Sequence, residues 1–470
     1  MGEREVGKGI AASGRAERSW VNEVAIIGVG ASGVAAAQLA RAQGAKVYVS
    51  DMRADATAAA GADRIRALGA EVELGRHDLD RIASADTVVV SPGVSPDSPV
   101  LKGLTDRGVR WISEPELAFR FFQGPLIAVT GTNGKTTTTA LAGHLLRAAG
   151  VDAAIGGNIG AALGPAASEL ALRKPAPAWY VVEMSSFQLG DIEHFRPDIG
   201  VVTNLAPDHL DRYPSVAAYY GDKARLFDNA DAHSRWVLNG DDDAVLELAG
   251  DAPGTRYLFS LERSDTAGRV EAGMLVLDVG EGREELLPAS DLPLLGAHNV
   301  ANALAAALAA RLAGAPAAGI ADGLRTAQPL PHRLEPVADQ DGVLWVNDSK
   351  ATNVAAAVSA IRSLPGRTVV ALLGGKDKGE DLVPLADALV GRARVAIVFG
   401  AAGDRIAGTL EDRLPVRRVH GSFEDVVTAA REEAHRGDVV LFAPACSSFD
   451  MFPNYEVRGN RFAALARGEA

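Results

Sequence analysis

The sequence predicts an α/β protein of three domains, each with a largely parallel sheet: a Rossmann-like N-terminal domain, a central P-loop domain and a Rossmann-like C-terminal domain. Three observations carry this expectation. The chain has 470 residues, too many for one ordinary core at roughly 100–200 residues per domain. Two apolar strands run into a glycine turn and then a helix, in "EVAIIGVGASGVAAAQLA" and in "LIAVTGTNGKT". Beyond them, apolar strands ending in polar residues alternate with helical stretches, as expected of parallel sheets covered by helices.

In chain order, the first twenty residues mix four basic with three acidic side chains and hold no apolar run. They read as a flexible extension over 1–20 and not as a signal peptide. The N-terminal domain, 21–114, opens with a strand, Gly28-x-Gly30-x-x-Gly33 and an Ala-rich helix; "KVYVSD" and "TVVVSPGVSP" add further strands. The central domain, 115–328, takes strands from "LIAVT", "AWYVVEMSS", "IGVVTNLAPDHLD" and "RWVLNGDD". Two prolines in "AQPLPHRLEPV" mark a linker. The C-terminal domain, 329–470, then repeats the doubly wound pattern with "GVLWVND", "TVVALLGG", "VAIVFG" and "DVVLFAP".

The net charge of −13 argues against nucleic acid or an anionic membrane as partner, because both need a basic field. Anionic ligands must then be held by backbone N–H groups, helix N-termini and metal ions. The single cysteine, Cys446, excludes an intramolecular disulfide framework and a cysteine zinc site. The longest apolar stretch, residues 300–321, is interrupted by Asn302, Arg311, Gly314 and Pro316, so membrane insertion is not expected. A cytoplasmic, monomeric protein is expected.

The glycine turn near residue 30 is followed by Asp51, 18 residues after Gly33. That spacing suits a dinucleotide with Asp51 on a ribose, another nucleotide diphosphate, or a tight strand–helix packing turn. "GTNGKT" is more specific. Gly131 and Gly134 let backbone N–H groups approach phosphate, Lys135 can reach the β- and γ-phosphates, and Thr136 can hold Mg²⁺. Val129 stands where the usual pattern has its first glycine, and a plain helix-start turn is the alternative reading. Glu183 and His209 each follow an apolar strand of the same region, where a carboxylate and an imidazole can complete Mg²⁺ coordination. Lys223, in "AAYYGDKARLF", reads by itself as a surface lysine. Asn299 and Asn302 lie one turn apart at a helix start, where Asn299 reads as a cap or as an adenine contact. "VNDSKATN", "LLGGKDKG" and "APACSSFDMFPNY" put lysines and hydroxyls at three strand ends, suited to a small carboxylated substrate.

These segments, with "GGNIG", "EMSSFQL", "DHLDRY", "GAHNVANALAA" and "PHRLE", resemble in order the Mur ligase family, which builds the peptide of bacterial cell-wall precursors. The similarity runs from Val24 to Phe462. Its third-domain segments resemble those of members that add D-glutamate to UDP-N-acetylmuramoyl-L-alanine. The resemblance implies ATP-driven amide formation through an acyl phosphate, two Mg²⁺ ions, and a UDP-sugar at the N-terminal glycine turn. Carried over by motif position, Gly131, Thr132, Asn133, Gly134, Lys135, Thr136, Thr137, Asn299, Asn302, Arg333 and Asp348 would surround ATP. Thr136 and Glu183 would hold one Mg²⁺; His209 and Lys223, the latter as its carbamate, would hold the other. Lys135, Glu183, His209 and Lys223 would be the catalytic set. Gly30, Ser32, Asp51, Arg53, Ser91, Gly93, Asn158 and Gln188 would contact the UDP-sugar, and Thr352, Lys378, Ser448 and Tyr455 would grip D-glutamate. The chain departs from the family pattern at Asp222, an anion in place of alanine beside Lys223. Other readings are a different Mur ligase or a folylpolyglutamate synthase and, more remotely, a dehydrogenase or a non-catalytic ATP-binding scaffold. A dehydrogenase leaves "GTNGKT" without a task, and a scaffold leaves the third-domain cluster without one.

Overall fold

A computed structural model describes residues 22–210, 212–364 and 366–469; the extension expected at 1–20 lies outside the described residues. The first sheet is β1 (Glu23–Ile27), β2 (Lys46–Asp51), β3 (Glu71–Leu74), β4 (Thr87–Val90) and β5 (Ile112–Ser113), ordered β3-β2-β1-β4-β5 and wholly parallel. The second contains β6 (Leu126–Thr130), β7 (Ala153–Gly157), β8 (Trp179–Glu183), β9 (Ile199–Val202), β10 (Arg235–Asn239), β11 (Thr255–Ser260), β12 (Gly268–Glu271), β13 (Met274–Leu277) and β14 (Glu284–Pro288). Its order is β14-β13-β12-β11-β10-β9-β6-β8-β7. The third contains β15 (Glu335–Gln340), β16 (Val343–Asn347), β17 (Val369–Gly374), β18 (Ala393–Phe399), β19 (Val416–Val419) and β20 (Val439–Ala445), ordered β15-β16-β20-β17-β18-β19.

Strands β6, β8 and β9 are buried along their whole length. That burial explains their unbroken apolar runs, since a parallel sheet covered on both faces has no solvent side. The antiparallel departures are at the margins, in β12–β14 and in β15. The meander over 268–288 was not anticipated by the strand-and-helix alternation of the sequence.

The chain forms two compact units. One holds the described residues up to Ala289 with Asn302–Leu324; the other holds Ser290–Ala301 and the described residues from Arg325 onward. The first unit therefore combines the first and second sheets, and buried carboxylates fasten the two together. Glu116 Oε2 accepts the N–H groups of Glu193 (3.1 Å), His194 (3.1 Å) and Phe195 (2.7 Å). Ser113 N–H donates to Asp191 O at 2.7 Å, and Trp111 Nε1 donates to the Asp191 carboxylate at 3.0 Å. Glu114 accepts the N–H of Ser168.

Burial pushes the Glu114 carboxyl up to about 7. The native state thus favours its protonated form, and its contribution to stability is complete below the ordinary carboxyl value of 4.5 and fades as pH rises toward 7. Glu114→Gln keeps an oxygen acceptor for Ser168 and carries no charge. The variant is expected to melt higher than wild type at pH 8, by an amount reflecting at most ~3 kcal/mol, with the advantage gone by about pH 5. A melting difference that does not change with pH would reject this assignment.

Candidate active site

In the second sheet β6 lies between β9 and β8, so the loop after β6, Glu183 at the end of β8 and His209 in the loop after β9 share one carboxyl edge. Ligands of open α/β sheets bind at such edges. The turn after β6 leads into the helix Lys135–Ala148. Gly131 (φ 136°) and Gly134 (φ 82°) adopt conformations unfavourable to side chains. A Cβ at Gly131 would strike Thr203 Oγ1, and one at Gly134 would strike the Asn302 amide.

The neighbouring loop holds this turn in place. Thr132 N–H donates to Asn204 O (2.8 Å) and Asn133 N–H to Asn204 Oδ1 (2.9 Å), while Thr203 Oγ1 donates to Asn133 O (2.6 Å). Asn204 thus engages those two N–H groups, and the helix Lys135–Ala148 that follows presents its N-terminus at the same edge, the end of a helix that favours anions. Lys135 Nζ lies over the turn, 3.0 Å from Gly131 O and 2.8 Å from Thr132 O. Asn302 Oδ1 accepts from Thr138 Oγ1 at 3.4 Å.

Glu183 is buried. Its Oε1 accepts from Asn158 Nδ2 at 3.2 Å, and its Oε2 has no hydrogen-bond partner. A buried carboxylate oxygen without a donor is costly, and a hard cation is the natural complement. His209 has a positive φ of 54°, a strained backbone of the kind that accumulates at functional positions. Its ring is half exposed and meets Phe187 edge-on at 5.2 Å.

Lys223 is not on a solvated face. It is 1% exposed, on the helix Val216–Ala224, and its Nζ donates to Gly131 O at 2.7 Å. Burial, and then repulsion from Lys135, hold its pKa well below the usual lysine value, against the pull of Asp208, Glu183 and Asp222. Two amines sharing the Gly131 carbonyl cannot both be comfortable as cations. Asp222, the departure from the family pattern, accepts from Tyr213 Oη at 2.7 Å, so its carboxylate is engaged there. Sequence reasoning missed Asn204 and also Tyr219, whose buried hydroxyl donates to Thr132 Oγ1 at 3.3 Å and whose ring underlies Lys223 Nζ. Tyr219 is one helical turn before Lys223, a spacing that could have revealed it.

The first sheet repeats the geometry, with β1 between β2 and β4. A Cβ at Gly33 would strike Gly28 O, so the turn needs glycine for close strand–helix packing as well as for any ligand. Gly30 caps the helix Ala31–Ala42, on which Ser32 lies. Asp51 Oδ2 accepts from Val29 N (3.0 Å) and Arg53 Nη2 (2.9 Å), and Oδ1 accepts from Arg53 N (2.8 Å). Asp51 thus braces both the turn and the partly exposed Arg53. Ser91 Oγ is buried without a partner, beside Gly93. Across the same unit, Asn158 is exposed and Gln188 is buried, its Oε1 in the capping box of Ser185.

In the second unit, β16, β20 and β17 are neighbours, and the loops at their carboxyl ends carry Asp348 to Thr352, Ser447 to Tyr455, and Lys376 to Lys378. Arg458 ties these loops together, donating to Ser349 Oγ (3.1 Å), Ser349 O (2.9 Å) and Cys446 O (3.2 Å). Ser447 pairs with Lys376. Tyr455 receives the Lys350 ammonium over its ring at 3.9 Å; Ser448 is buried and Lys378 exposed. Burial pushes the Asp348 carboxyl up to about 7, opposed by the Leu334 N–H and by Arg333. Asn299 does not cap its helix: it lies inside Ala297–Leu312, and its Nδ2 donates to Leu295 O at 2.7 Å. Among the described residues no helix is long and apolar enough to cross a membrane.

Comparison with known proteins matches three family models: "Mur ligase MurD-like, N-terminal domain" at residues 22–113, "Mur ligase middle domain" at 129–310, and "Mur ligase, glutamate ligase domain" at 332–446. The UDP-N-acetylmuramoylalanine–D-glutamate ligase of Acidobacterium capsulatum is 42% identical over 448 residues, covering 94% of this chain and 95% of that protein. The ligase of the same name from Myxococcus xanthus is 42% identical, covering 94% and 97%. Among solved structures, a pseudomurein peptide ligase type C from Methanothermus fervidus aligns with a TM-score of 0.60 at 21% identity, covering 94% of this chain and 99% of that one. UDP-N-acetylmuramate-alanine ligase from Thermotoga maritima also aligns at 0.60, with 19% identity and coverage of 95% and 100%. At these identities the structural matches speak for the fold.

Proposed function

The chain belongs to the Mur ligase family, and on that premise we propose that it joins D-glutamate to UDP-N-acetylmuramoyl-L-alanine with hydrolysis of ATP to ADP and phosphate, a step in making peptidoglycan precursors. One observation carries the reading: the phosphate-type loop lies between the partnerless Glu183 oxygen and the His209 loop, with the Lys223 amine on its Gly131 carbonyl. That donor set fits a magnesium nucleotide.

In this reading the carboxylate of the UDP-sugar attacks the γ-phosphorus, ADP leaves, and an acyl phosphate forms. The neutral amine of D-glutamate then attacks the acyl carbon, and the amide forms as a proton and inorganic phosphate depart. Lys135 and the first-turn N–H groups hold the phosphates and stabilise the charge that develops on transfer. Thr136 and Glu183 would hold one Mg²⁺, and His209 and carbamylated Lys223 a second. Bound Mg²⁺ supplies the positive charge that offsets repulsion between the reacting anions. A carbamate at Lys223 needs a neutral amine, which burial and Lys135 favour; it would turn a lysine–lysine repulsion into an attraction.

The N-terminal turn, with Gly30, Ser32, Asp51, Arg53, Ser91 and Gly93, would bind the UDP-sugar, assisted by Asn158 and Gln188. Thr352, Lys378, Ser448 and Tyr455 would bind the D-glutamate carboxylates, and Asn299, Asn302, Arg333 and Asp348 would contact ATP. The chain acts as a cytoplasmic monomer.

ATP turnover is expected to require UDP-N-acetylmuramoyl-L-alanine and D-glutamate together, as measured by phosphate release with each substrate omitted or exchanged. Equal turnover with L-lysine, meso-diaminopimelate or L-alanine in place of D-glutamate would overturn the substrate assignment.

A further inference from the structure

We propose that Arg212 is a positioning residue that links the turn at residues 91–94 to the His209 loop, so that binding of the UDP-sugar is felt at the nucleotide site. The inference rests on the proposed ligand sites and adds a residue that none of them includes. Residues 203–210 lack helix or strand, so His209 depends on anchors to either side. On one side, Asn204 and Ala206 are bonded to Thr132 and Asn133 of the phosphate-type loop.

On the other side stands Arg212. Its Nη1 donates to Pro92 O and its Nη2 to Val94 O, both at 3.0 Å. Both terminal nitrogens thus grip backbone carbonyls of the turn that carries Gly93 and starts at the partnerless hydroxyl of Ser91. The guanidinium also covers the Phe187 ring at 4.0 Å, next to Gln188. Tyr213 stacks on the same ring at 5.3 Å, and His209 meets it at 5.2 Å.

His209 therefore lies between an anchor on the nucleotide loop and an anchor on the sugar-nucleotide turn. A ligand that orders the turn orders the second anchor, and the cost of fixing His209 need not be met again when the nucleotide binds. Such an arrangement gives positive, reciprocal coupling between the two sites. A planar fork on two carbonyls is specific to arginine; a lysine can serve only one of them well.

The test is calorimetric titration of the full chain with Mg²⁺ and a non-hydrolysable ATP analogue, with and without UDP-N-acetylmuramoyl-L-alanine. Wild type is expected to bind the analogue about fivefold or more tightly when the UDP-sugar is present. In Arg212→Ala the factor should fall below about twofold, with affinity for the analogue alone nearly unchanged, and Arg212→Lys should lie between. The lysine variant keeps the charge and most of the stem, so it decides the question if the alanine variant does not fold. Equal coupling in wild type and Arg212→Lys, or no coupling in a wild type that binds both ligands, would overturn the proposal. A wild type that does not bind the UDP-sugar would instead refute the proposed ligase activity, and the coupling with it.

Discussion

Lys135→Ala is expected to lower the ligation rate by ~10²–10³ or more, equivalent to ~3–4 kcal/mol of transition-state stabilisation. The lysine is the first residue of the helix after β6, and its ammonium already lies within 3.0 Å of two loop carbonyls, Gly131 O and Thr132 O. Phosphoryl transfer between two anions offers the protein little covalent work, so a fixed cation over the phosphates accounts for a large share of the acceleration. The UDP-sugar is assigned to the first sheet, whose glycine turn is built by Gly28, Asp51 and Arg53 without help from Lys135. Its affinity should therefore stay within about twofold of wild type. Rapid-quench measurement of acyl-phosphate formation, beside equilibrium binding of the UDP-sugar, separates the two effects. Wild-type turnover in the variant would rule out "GTNGKT" as the ATP site.

Lys223→Ala is expected to remove most of the activity, and a short carboxylate such as acetate should restore part of it by entering the vacated space and offering anionic oxygens. The side chain is fully buried with its amine on Gly131 O, so the substitution removes a carbamate's ligands without exposing a new surface. Depleting bicarbonate should reduce wild-type activity, because CO₂ adds to the neutral amine, with loss of its proton, and the carbamate depends on supply. A permanently cationic lysine would be indifferent to CO₂. His209→Ala should impair the same step, since both residues are assigned to one ion. Near-wild-type rates for Lys223→Ala at limiting Mg²⁺ would leave the lysine as a structural donor to the loop and nothing more.

Much of this organisation is legible before any coordinates. Glycines at 28, 131 and 134 stand where φ is positive, and each follows an apolar strand, so strand, turn and ligand edge could be read together. The order of motifs placed Glu183 and His209 after apolar strands; Glu183 is the last residue of β8, His209 lies in the loop seven residues beyond β9, and both strands are next to β6. Other features were not legible. The helix carrying Lys223 offers no strong amphipathic cue in "VAAYYGDKA", so the burial of a lysine could be inferred only from family resemblance. Asp222 raised the prospect of an anion against a carbamate, and Tyr213, nine residues earlier, takes up that carboxylate. The bracing of Val29 and Arg53 by both oxygens of Asp51 was likewise not legible, since it depends on how the turn after β1 folds back on the end of β2.

Sequence by itself determined the three α/β sheets, the phosphate-type loop and the chemical class of the residues around it. Those depend on short-range facts: periodicity, glycine where backbone must turn, and polar residues at the ends of apolar strands. Tertiary structure alone decided which groups share a carbonyl, which carboxylate oxygen lacks a donor, and which arginine bridges the first two sheets. Lys135 and Lys223 are 88 positions apart in the chain but converge on Gly131 O; Arg212 reaches Pro92 across 120. Protonation states and couplings depend on distance and desolvation in space, and both are set by packing between elements that the chain separates.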